Sequence, residues 1–147
     1  MYYFIRIMKA LDKRLFFLLN MAQRKLFNHV DKVCEDALDT SVTQLAALLY
    51  IVKHAGCLQK EVAKALSLNK SAVTGLIVRM EKKALLERFV SDEDARAIKL
   101  YPTPTGVQKT LELMPFIDEL NSTFDEEFSD EEMQTVLKFL NFIIKKF

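Results

Sequence analysis

The hydrophobic pattern of this chain changes its period once and then changes back, which limits the order of its helices and strands. Up to about Ala84, apolar residues recur at spacings of three and four, the period of helices that bury one face. The segments "LLERFV" and "AIKLY" then alternate apolar and polar residues, which is the period of strands. The polar segment "SDEDAR" lies between them and predicts a turn. The pattern therefore predicts several helices, one β-hairpin and further helices.

Capping residues locate the predicted helix boundaries. The predicted helices cover residues 3–35, 44–55, 59–66, 69–83, 104–125 and 130–146. Side chains able to cap them are Ser41 or Thr43, Asn69, Thr103 followed by Pro104, and Ser129 with Glu132. The predicted fold class is mainly α, an α+β winged helix with about six helices and a two-stranded wing, in one domain over residues 1–147. Only three Gly and three Pro argue against a β sandwich or barrel.

Charge is distributed unevenly along the chain, although the net charge is only +1. Residues 53–100 carry ten basic and six acidic side chains, whereas residues 101–147 carry four basic and nine acidic ones. A locally basic segment is what a phosphate backbone requires, whatever the total charge.

The stretch "NKSAVTGLIVRMEKK", residues 69–83, predicts an amphipathic helix with a distinctive polar face. Its buried stripe is predicted to be Val73, Leu76, Ile77 and Met80. Its polar face carries Lys70, Ser71, Thr74 and Arg79, which combine hydroxyls for base edges with cations for phosphates or guanine. With the short helix before it, this forms a helix-turn-helix whose second helix can enter the major groove. The alternative is an ordinary solvated face on a packing motif. Gly75 permits close approach to a groove wall or has no role, and both interpretations stay open.

The predicted hairpin carries Arg96 two residues after Asp94 at its tip. An arginine on a narrow tip can enter a minor groove, and the nearby carboxylate can hold its guanidinium in a fixed geometry. The alternative is a surface salt bridge, worth at most about 1 kcal/mol.

From about Thr43 to Gly106 the chain resembles the MarR family of winged-helix transcriptional regulators. The resemblance rests on "LQKEVAKALSLNKSAVTGLIVRMEKKALLERFVSDEDARAIKLYPTPTG". It implies a two-fold dimer on a pseudopalindromic operator, with the recognition helix in the major groove and the wing arginine in the minor groove. The DNA-binding residues that it implies are Lys70, Ser71, Thr74, Arg79, Asp94 and Arg96, with Gln59 and Lys60 as phosphate contacts. The sequence departs from the family pattern at Ala84, where Gly is usual, at Ala95, where a second basic residue is common, and at Pro102, where Leu is usual.

Both ends of the chain carry large apolar residues on more than one helical face, in "YYFIRIM" and "VLKFLNFIIKKF". Terminal helices of a small monomer usually bury one stripe only. We therefore expect a homodimer, with residues 41–103 forming the winged helix-turn-helix and residues 1–38 and 104–147 the dimerisation helices.

Relatives that release DNA on binding a small molecule suggest an effector pocket here. The candidate lining residues are Phe16, Phe17 and Tyr50, with Tyr2, Tyr3 and Phe4 as further aromatics, although core and dimer packing is the favoured explanation for any single one. Cys34 and Cys57 form no motif, and Cys34 lies at the wrong end of its helix for the family's peroxide sensor. His29 with Cys34 or Glu35 lacks the spacing of a metal site. No metal or cofactor is therefore predicted.

The predicted function is sequence-specific DNA binding by a transcriptional regulator, a dimeric repressor that a small-molecule ligand relieves. The alternative is a protein-interaction module on a winged-helix fold that has lost DNA binding. An enzyme is not predicted, because no phosphate loop or nucleophile with a nearby base is present. The absence of a signal peptide or a spanning segment predicts a cytoplasmic location.

Overall fold

The computed structural model describes residues 13–94 and 96–147, which form six helices and a small sheet. The helices are α1 (Leu15–Leu38), α2 (Val42–Lys53), α3 (Gln59–Ala65), α4 (Lys70–Lys82), α5 (Pro104–Glu127) and α6 (Asp130–Lys146). The strands are β1 (Cys57–Leu58), β2 (Leu86–Val90) and β3 (Ile98–Pro102). The predicted fold class, mainly α with a hairpin wing, is confirmed. The predicted start of the first helix, Tyr2, Tyr3, Phe4 and Ala95 lie outside the described residues.

Side-chain caps begin four of these helices where the sequence predicts them. Each capping oxygen accepts a hydrogen bond from a backbone N–H three residues later, as helix N-termini require. The pairs are Ser41 with Gln44, Asn69 with Ala72, Thr103 with Gly106 and Ser129 with Glu132. Pro115 lies inside α5, so that helix continues through it.

Helix bounds differ from the prediction by up to three residues, and the sheet has one strand more than predicted. The first helix ends at Leu38 rather than residue 35, because Asp39 adopts a left-handed conformation (φ 49°) and its N–H still reaches the carbonyl oxygen of Glu35. The sheet has three strands rather than two, in the order β1-β3-β2 and antiparallel throughout. The missed strand β1 pairs Cys57 with Leu100. Two residues are too few to show a period in the sequence.

One apolar core holds the end of α1 against α2, α3, α4 and the sheet. In chain order, the first buried residue of this core is Cys34 in α1 and the last is Leu113 in α5. The wing strands contribute Leu86 and Leu100, while the outer half of the hairpin stays exposed. No helix of the described residues is long and apolar enough to cross a membrane.

Candidate nucleic-acid interface

Helix α4 is fixed in place by one buried stripe. Val73, Leu76, Ile77 and Met80 are each at most 3 % exposed, which confirms the stripe predicted from helical spacing. The remaining faces of α4 are therefore available for other contacts. The short helix α3 precedes α4, and Val62 of α3 is fully buried in the same core.

A cleft of about 840 Å³ separates α3 and α4 from the wing. It brings together six of the eight side chains predicted to bind DNA, although they come from three separate segments of the chain. These residues are Gln59, Lys60, Lys70, Thr74, Asp94 and Arg96. The other residues that line it are Leu58, Ala63, Val73, Arg88, Ala97 and Ile98.

Gln59 and Thr74 bind each other on the α3–α4 side of this cleft. The Gln59 side-chain amide donates to the Thr74 hydroxyl at 3.1 Å, and that hydroxyl donates to the Lys70 carbonyl oxygen at 2.8 Å. A hydroxyl has one donor and two acceptor positions, so Thr74 keeps one acceptor free for a base edge. The pair also fixes the start of α3 against the first turns of α4.

The wing turn is shaped by Asp94, but not through the predicted contact. Its carboxylate accepts a hydrogen bond from the Arg96 backbone N–H at 2.9 Å, rather than holding the guanidinium. Ser91 closes the turn, since its N–H donates to the Ala97 carbonyl oxygen at 2.9 Å. Carboxylates commonly bind the backbone two residues ahead in turns. Asp94 therefore acts on the backbone that carries Arg96.

Arg79 lies on a different edge of α4 from Lys70 and Thr74. Successive side chains are about 100° apart around a helix, and Arg79 lines a second crevice of about 680 Å³ between α4 and the start of α2. Lys82 and Lys83 line this crevice too. Ser71 is exposed and falls between the two edges, on the outward face that Lys82 shares by helical spacing. Helical spacing alone would have placed Lys82 on this face, but Lys82 was not among the residues predicted from the sequence.

The exposed cations of the interface are not neutralised within the described part of the chain. The ion pairs found there are Glu81 with Arg88 and Lys109 with Glu112, at 2.9 and 3.9 Å. Neither involves Lys70, Arg79 or Arg96. Arg88, which sequence reasoning missed, borders the first cleft, but Glu81 holds it.

Gly75 is not required by the packing of the protein interior. A Cβ atom at this position would meet only the Arg79 Nη1 atom, at 3.2 Å. That atom is the end of a flexible side chain and can move. Space inside the fold therefore does not explain a glycine in the middle of α4.

The three aromatic residues predicted to bind an effector do not line either of these clefts. Phe16 and Phe17 are 72 % and 63 % exposed near the start of α1, with ring centroids 5.4 Å apart. Tyr50 is half-buried on α2 and packs beside His54, at a centroid distance of 4.5 Å. Their role as effector contacts stays a prediction.

Both cysteines are free and buried. Burial raises the pKa of the Cys34 thiol, with a further contribution from the Asp31 charge. Burial and then the charge of Glu61 raise the pKa of Cys57. Both thiols are therefore protonated near neutral pH, which lowers their reactivity. In residues 13–94 and 96–147, no three His, Cys, Asp or Glu side chains come close enough to hold a metal ion.

Two helices, a recognition helix and a strand-paired wing in this order define a winged helix-turn-helix protein. A family model described as the MarR family matches residues 38–97, which include α2, α3, α4 and the wing up to Ala97. The winged helix-turn-helix of this chain is therefore similar to that of the MarR family.

Two curated relatives match over 96 residues each. The chain is 30% identical to the organic hydroperoxide resistance transcriptional regulator of Bacillus subtilis and 26% identical to HTH-type transcriptional regulator BilQ of Clostridioides difficile. Each match covers 65% of this chain and 65% of the relative. The chain thus spans just under two thirds of the length of these relatives.

Solved structures resemble a larger part of the chain. A DNA complex of MepR from S. aureus superposes with a TM-score of 0.79 at 24% identity, covering 88% of this chain and 95% of that one. PcaV from Streptomyces coelicolor, in complex with its natural ligand, superposes with a TM-score of 0.77 at 18% identity, covering 90% and 93%. At this identity the likeness is one of fold, and it extends beyond the winged part to the terminal helices.

Proposed function

We propose that this chain is a sequence-specific DNA-binding transcriptional regulator that acts as a homodimer. The observation that carries the proposal is the cleft between α3, α4 and the wing. It gathers Lys60, Lys70 and Arg96 around one concave surface, and these cations have no ion-pair partner within the described residues. Cations left exposed and unpaired around a groove suit a polyanion better than they suit an internal structural role.

The proposed docking places α4 in the major groove and the wing in the flanking minor groove. Ser71 and the remaining acceptor of Thr74 would then face base edges, while the cations on the two edges of α4 would face phosphates. Arg79 and Lys82 on the second edge extend the contact to the other groove wall. The Asp94 carboxylate would act indirectly, because it fixes the backbone that carries Arg96.

The relatives support this proposal. The curated relatives are named as transcriptional regulators, and MepR has been solved bound to an oligodeoxyribonucleotide in a mutant form that is 26% identical to this chain, with a TM-score of 0.59. The alternative function, an interaction module without DNA binding, is favoured only if the interface cations are occupied by internal acids. Of the cations bordering the cleft, only Arg88 is held in an ion pair within the described chain.

The proposed dimer rests on the exposed apolar surface of the terminal helices. No residue of α6 is buried within the chain, although one side of this helix is rich in large apolar residues. Exposed apolar residues of this kind on α1 and α6 are Leu15, Phe16, Phe17, Leu18, Met21, Leu26, Phe27, Val136, Leu137, Leu140, Phe142 and Ile144. Contiguous patches of this sort mark interaction sites. A second copy of the chain would cover them, with α1, α5 and α6 of each copy in one bundle.

In such a dimer, the distance between the two α4 helices decides whether both can dock. Adjacent major grooves on one face of B-DNA are about 34 Å apart. A small molecule that binds one separation better than the other would therefore control release. We propose repression relieved by such a ligand as the finer form of the function, with Phe16, Phe17 and Tyr50 as candidate contacts.

Fluorescence anisotropy on DNA from upstream of the gene, and on duplexes selected from a random library, tests the proposal. We expect saturable binding that weakens steeply with salt, because phosphate contacts release counterions. Arg96→Ala should weaken binding by about 1–3 kcal/mol if the side chain contacts bases, and Lys70→Ala should lower the salt slope by about 1 if it contacts a phosphate.

Lys145→Ala is the matched control, because it removes an exposed cation from the last turn of α6, away from the cleft. It should leave affinity and salt slope unchanged, and light scattering should give a dimer for every variant. Failure to select any duplex, or equal losses for Lys145→Ala and Arg96→Ala, would reject DNA binding through this surface and favour the interaction module.

A further inference from the structure

Two lysines from distant segments of the chain bind carbonyl groups at the C-terminal end of α1. The Lys109 ammonium donates to the Leu38 carbonyl oxygen at 2.6 Å, and the Lys83 ammonium donates to the Asp39 carbonyl oxygen at 2.7 Å. Carbonyls at a helix C-terminus lack partners within the helix and carry partial negative charge. Helix α1 has no basic residue in its own last turn, so these two ammonium groups supply the compensation from elsewhere in the fold.

Lys83 directly follows the recognition helix, which ends at Lys82, and the next two residues are bound to Thr103, the N-cap of α5. The Ala84 carbonyl oxygen accepts from the Thr103 hydroxyl at 2.5 Å, and the Leu85 carbonyl oxygen accepts from the Thr103 N–H at 3.2 Å. Segment 83–85 thus joins the end of the recognition helix to both α1 and α5.

The two connections differ in stiffness. A Cβ atom at Gly106 of α5 would lie 2.0 Å from the Leu85 carbonyl oxygen, so backbone meets backbone there with no room for adjustment. The hydrogen bonds to the end of α1, in contrast, come from two flexible four-carbon side chains, in addition to the burial of Cys34 and Leu38 in the core. Lys83 is exposed and Lys109 is half-buried, with Glu112 at 3.9 Å as a second partner of Lys109. The contact between segment 83–85 and α5 is therefore rigid, whereas side-chain contacts can set the angle between α1 and the recognition helix.

We propose that Lys83 and Lys109 are positioning residues that fix α1 relative to the recognition helix, and thereby set the spacing of DNA half-sites that the dimer accepts. The proposal rests on the proposed function, because α1 is one of the helices assigned to the dimer. Neither lysine needs to contact DNA for this role. Breaking either contact removes one of the bonds that hold the end of α1, which the core and the Thr40 hydroxyl still anchor, and lets the two recognition helices sample a wider range of separations.

The test compares Lys83→Met and Lys109→Met with Lys82→Met on selected operators whose half-sites are moved apart or together by one base pair. Methionine keeps a long apolar side chain and removes the ammonium group. Lys82 is the matched control, since it is the adjacent exposed lysine, with no hydrogen bond or ion pair among the described residues. Lys83→Met and Lys109→Met should change the ratio of affinities between spacings severalfold. Lys82→Met should weaken binding on every spacing by the same factor.

A distance measurement without DNA separates this proposal from the proposed function. Spin labels at Arg24→Cys on α1 and Ser71→Cys on α4, in chains diluted with unlabelled protein, report the α1–α4 distance within one chain. Both native thiols are buried and label poorly. We expect Lys83→Met and Lys109→Met to broaden or shift this distance. If the wild-type protein binds no DNA, the proposed function fails, and the distance measurement alone tests the positioning role of Lys83 and Lys109. An unchanged distance and unchanged spacing ratio in both variants would overturn the positioning role.

Discussion

Glu81, in the recognition helix α4, forms a two-point ion pair with Arg88 on the first strand of the wing. The guanidinium Nε donates to one carboxylate oxygen and Nη2 to the other, both at 2.9 Å. Two parallel hydrogen bonds of this kind give an arginine–carboxylate pair a fixed geometry as well as added strength. It fastens the helix proposed for the major groove to the hairpin proposed for the minor groove, so that the two present one surface.

The same pair predicts a dependence of stability on pH. The hydrogen bonds from Arg88 lower the pKa of Glu81 below its ordinary value of 4.5. Because its pKa is lowered in the folded state, the charged Glu81 carboxylate stabilises the protein at pH values above its ordinary pKa. This contribution disappears as the pH falls through the lowered pKa. We expect Glu81→Gln to lower Tm slightly at pH 7 and to have no effect once the pH is well below 4. Thermal unfolding of both proteins between pH 2 and 7 measures this.

Glu87→Gln is the control for that experiment, because Glu87 is an exposed carboxylate beside Arg88 with no hydrogen bond or ion pair among residues that the structure describes. Its removal should not reproduce the pH dependence. A Tm difference for Glu81→Gln that is the same at pH 3 and pH 7 would mean that the lost contact is not the charged pair.

Gly75→Ala separates the two interpretations of this glycine. Alanine in a helix interior is more stable than glycine by about 0.5–1 kcal/mol, and the new methyl group would displace only the end of Arg79. We therefore expect a higher Tm together with weaker DNA binding, because Gly75 lies on the outward face between Ser71 and Lys82. Calorimetry and anisotropy on the same variant give both quantities. A higher Tm with unchanged affinity would show that the groove wall does not approach this position.

The local parts of the fold were predictable because their signals lie within a few residues of one another. Ser129 and Glu132 are three residues apart and bond reciprocally, so the start of α6 is encoded in four positions. The stripe of Val73, Leu76, Ile77 and Met80 is likewise a matter of spacing alone. Strand β1 escaped prediction because its pairing partner, Leu100, lies far along the chain.

The parts that could not be predicted are contacts between side chains and distant backbone. Lys83 binds a carbonyl 44 residues earlier, and Lys109 binds one 71 residues earlier. A carbonyl group has no residue-specific signature, so no pattern in the sequence points to it. The Asp94 contact was assigned to the wrong group of Arg96 for a similar reason, since the sequence gives the residue but not which of its donors is in reach.

Ala84 has a left-handed backbone with φ of 57°, at the position where the family resemblance implies Gly. This conformation costs roughly 1–2 kcal/mol for a residue with a Cβ atom, and glycine avoids that cost. Glycine also loses more conformational entropy on folding than alanine, which cancels part of the gain. Ala84→Gly should therefore stabilise the fold by about 0.5–1 kcal/mol. Ala72→Gly, in the right-handed backbone of α4, is the matched control and should destabilise it by a similar amount. Chemical denaturation compares the two, and a loss of stability in both variants would contradict the strain at Ala84.

The wing tip carries two acidic side chains that have no role in the proposed DNA binding. Asp92 and Glu93 are exposed and precede Asp94 in the turn, so both would lie near phosphates if Arg96 entered a minor groove. Asp94 must stay, because its carboxylate holds the backbone of Arg96. We expect Asp92→Asn with Glu93→Gln to strengthen DNA binding severalfold at low salt, with the gain shrinking as salt screens the repulsion. Glu131→Gln, an exposed acid on α6, should change nothing. Equal affinities for the wing variant and the wild-type protein at low salt would place the wing tip away from the DNA backbone.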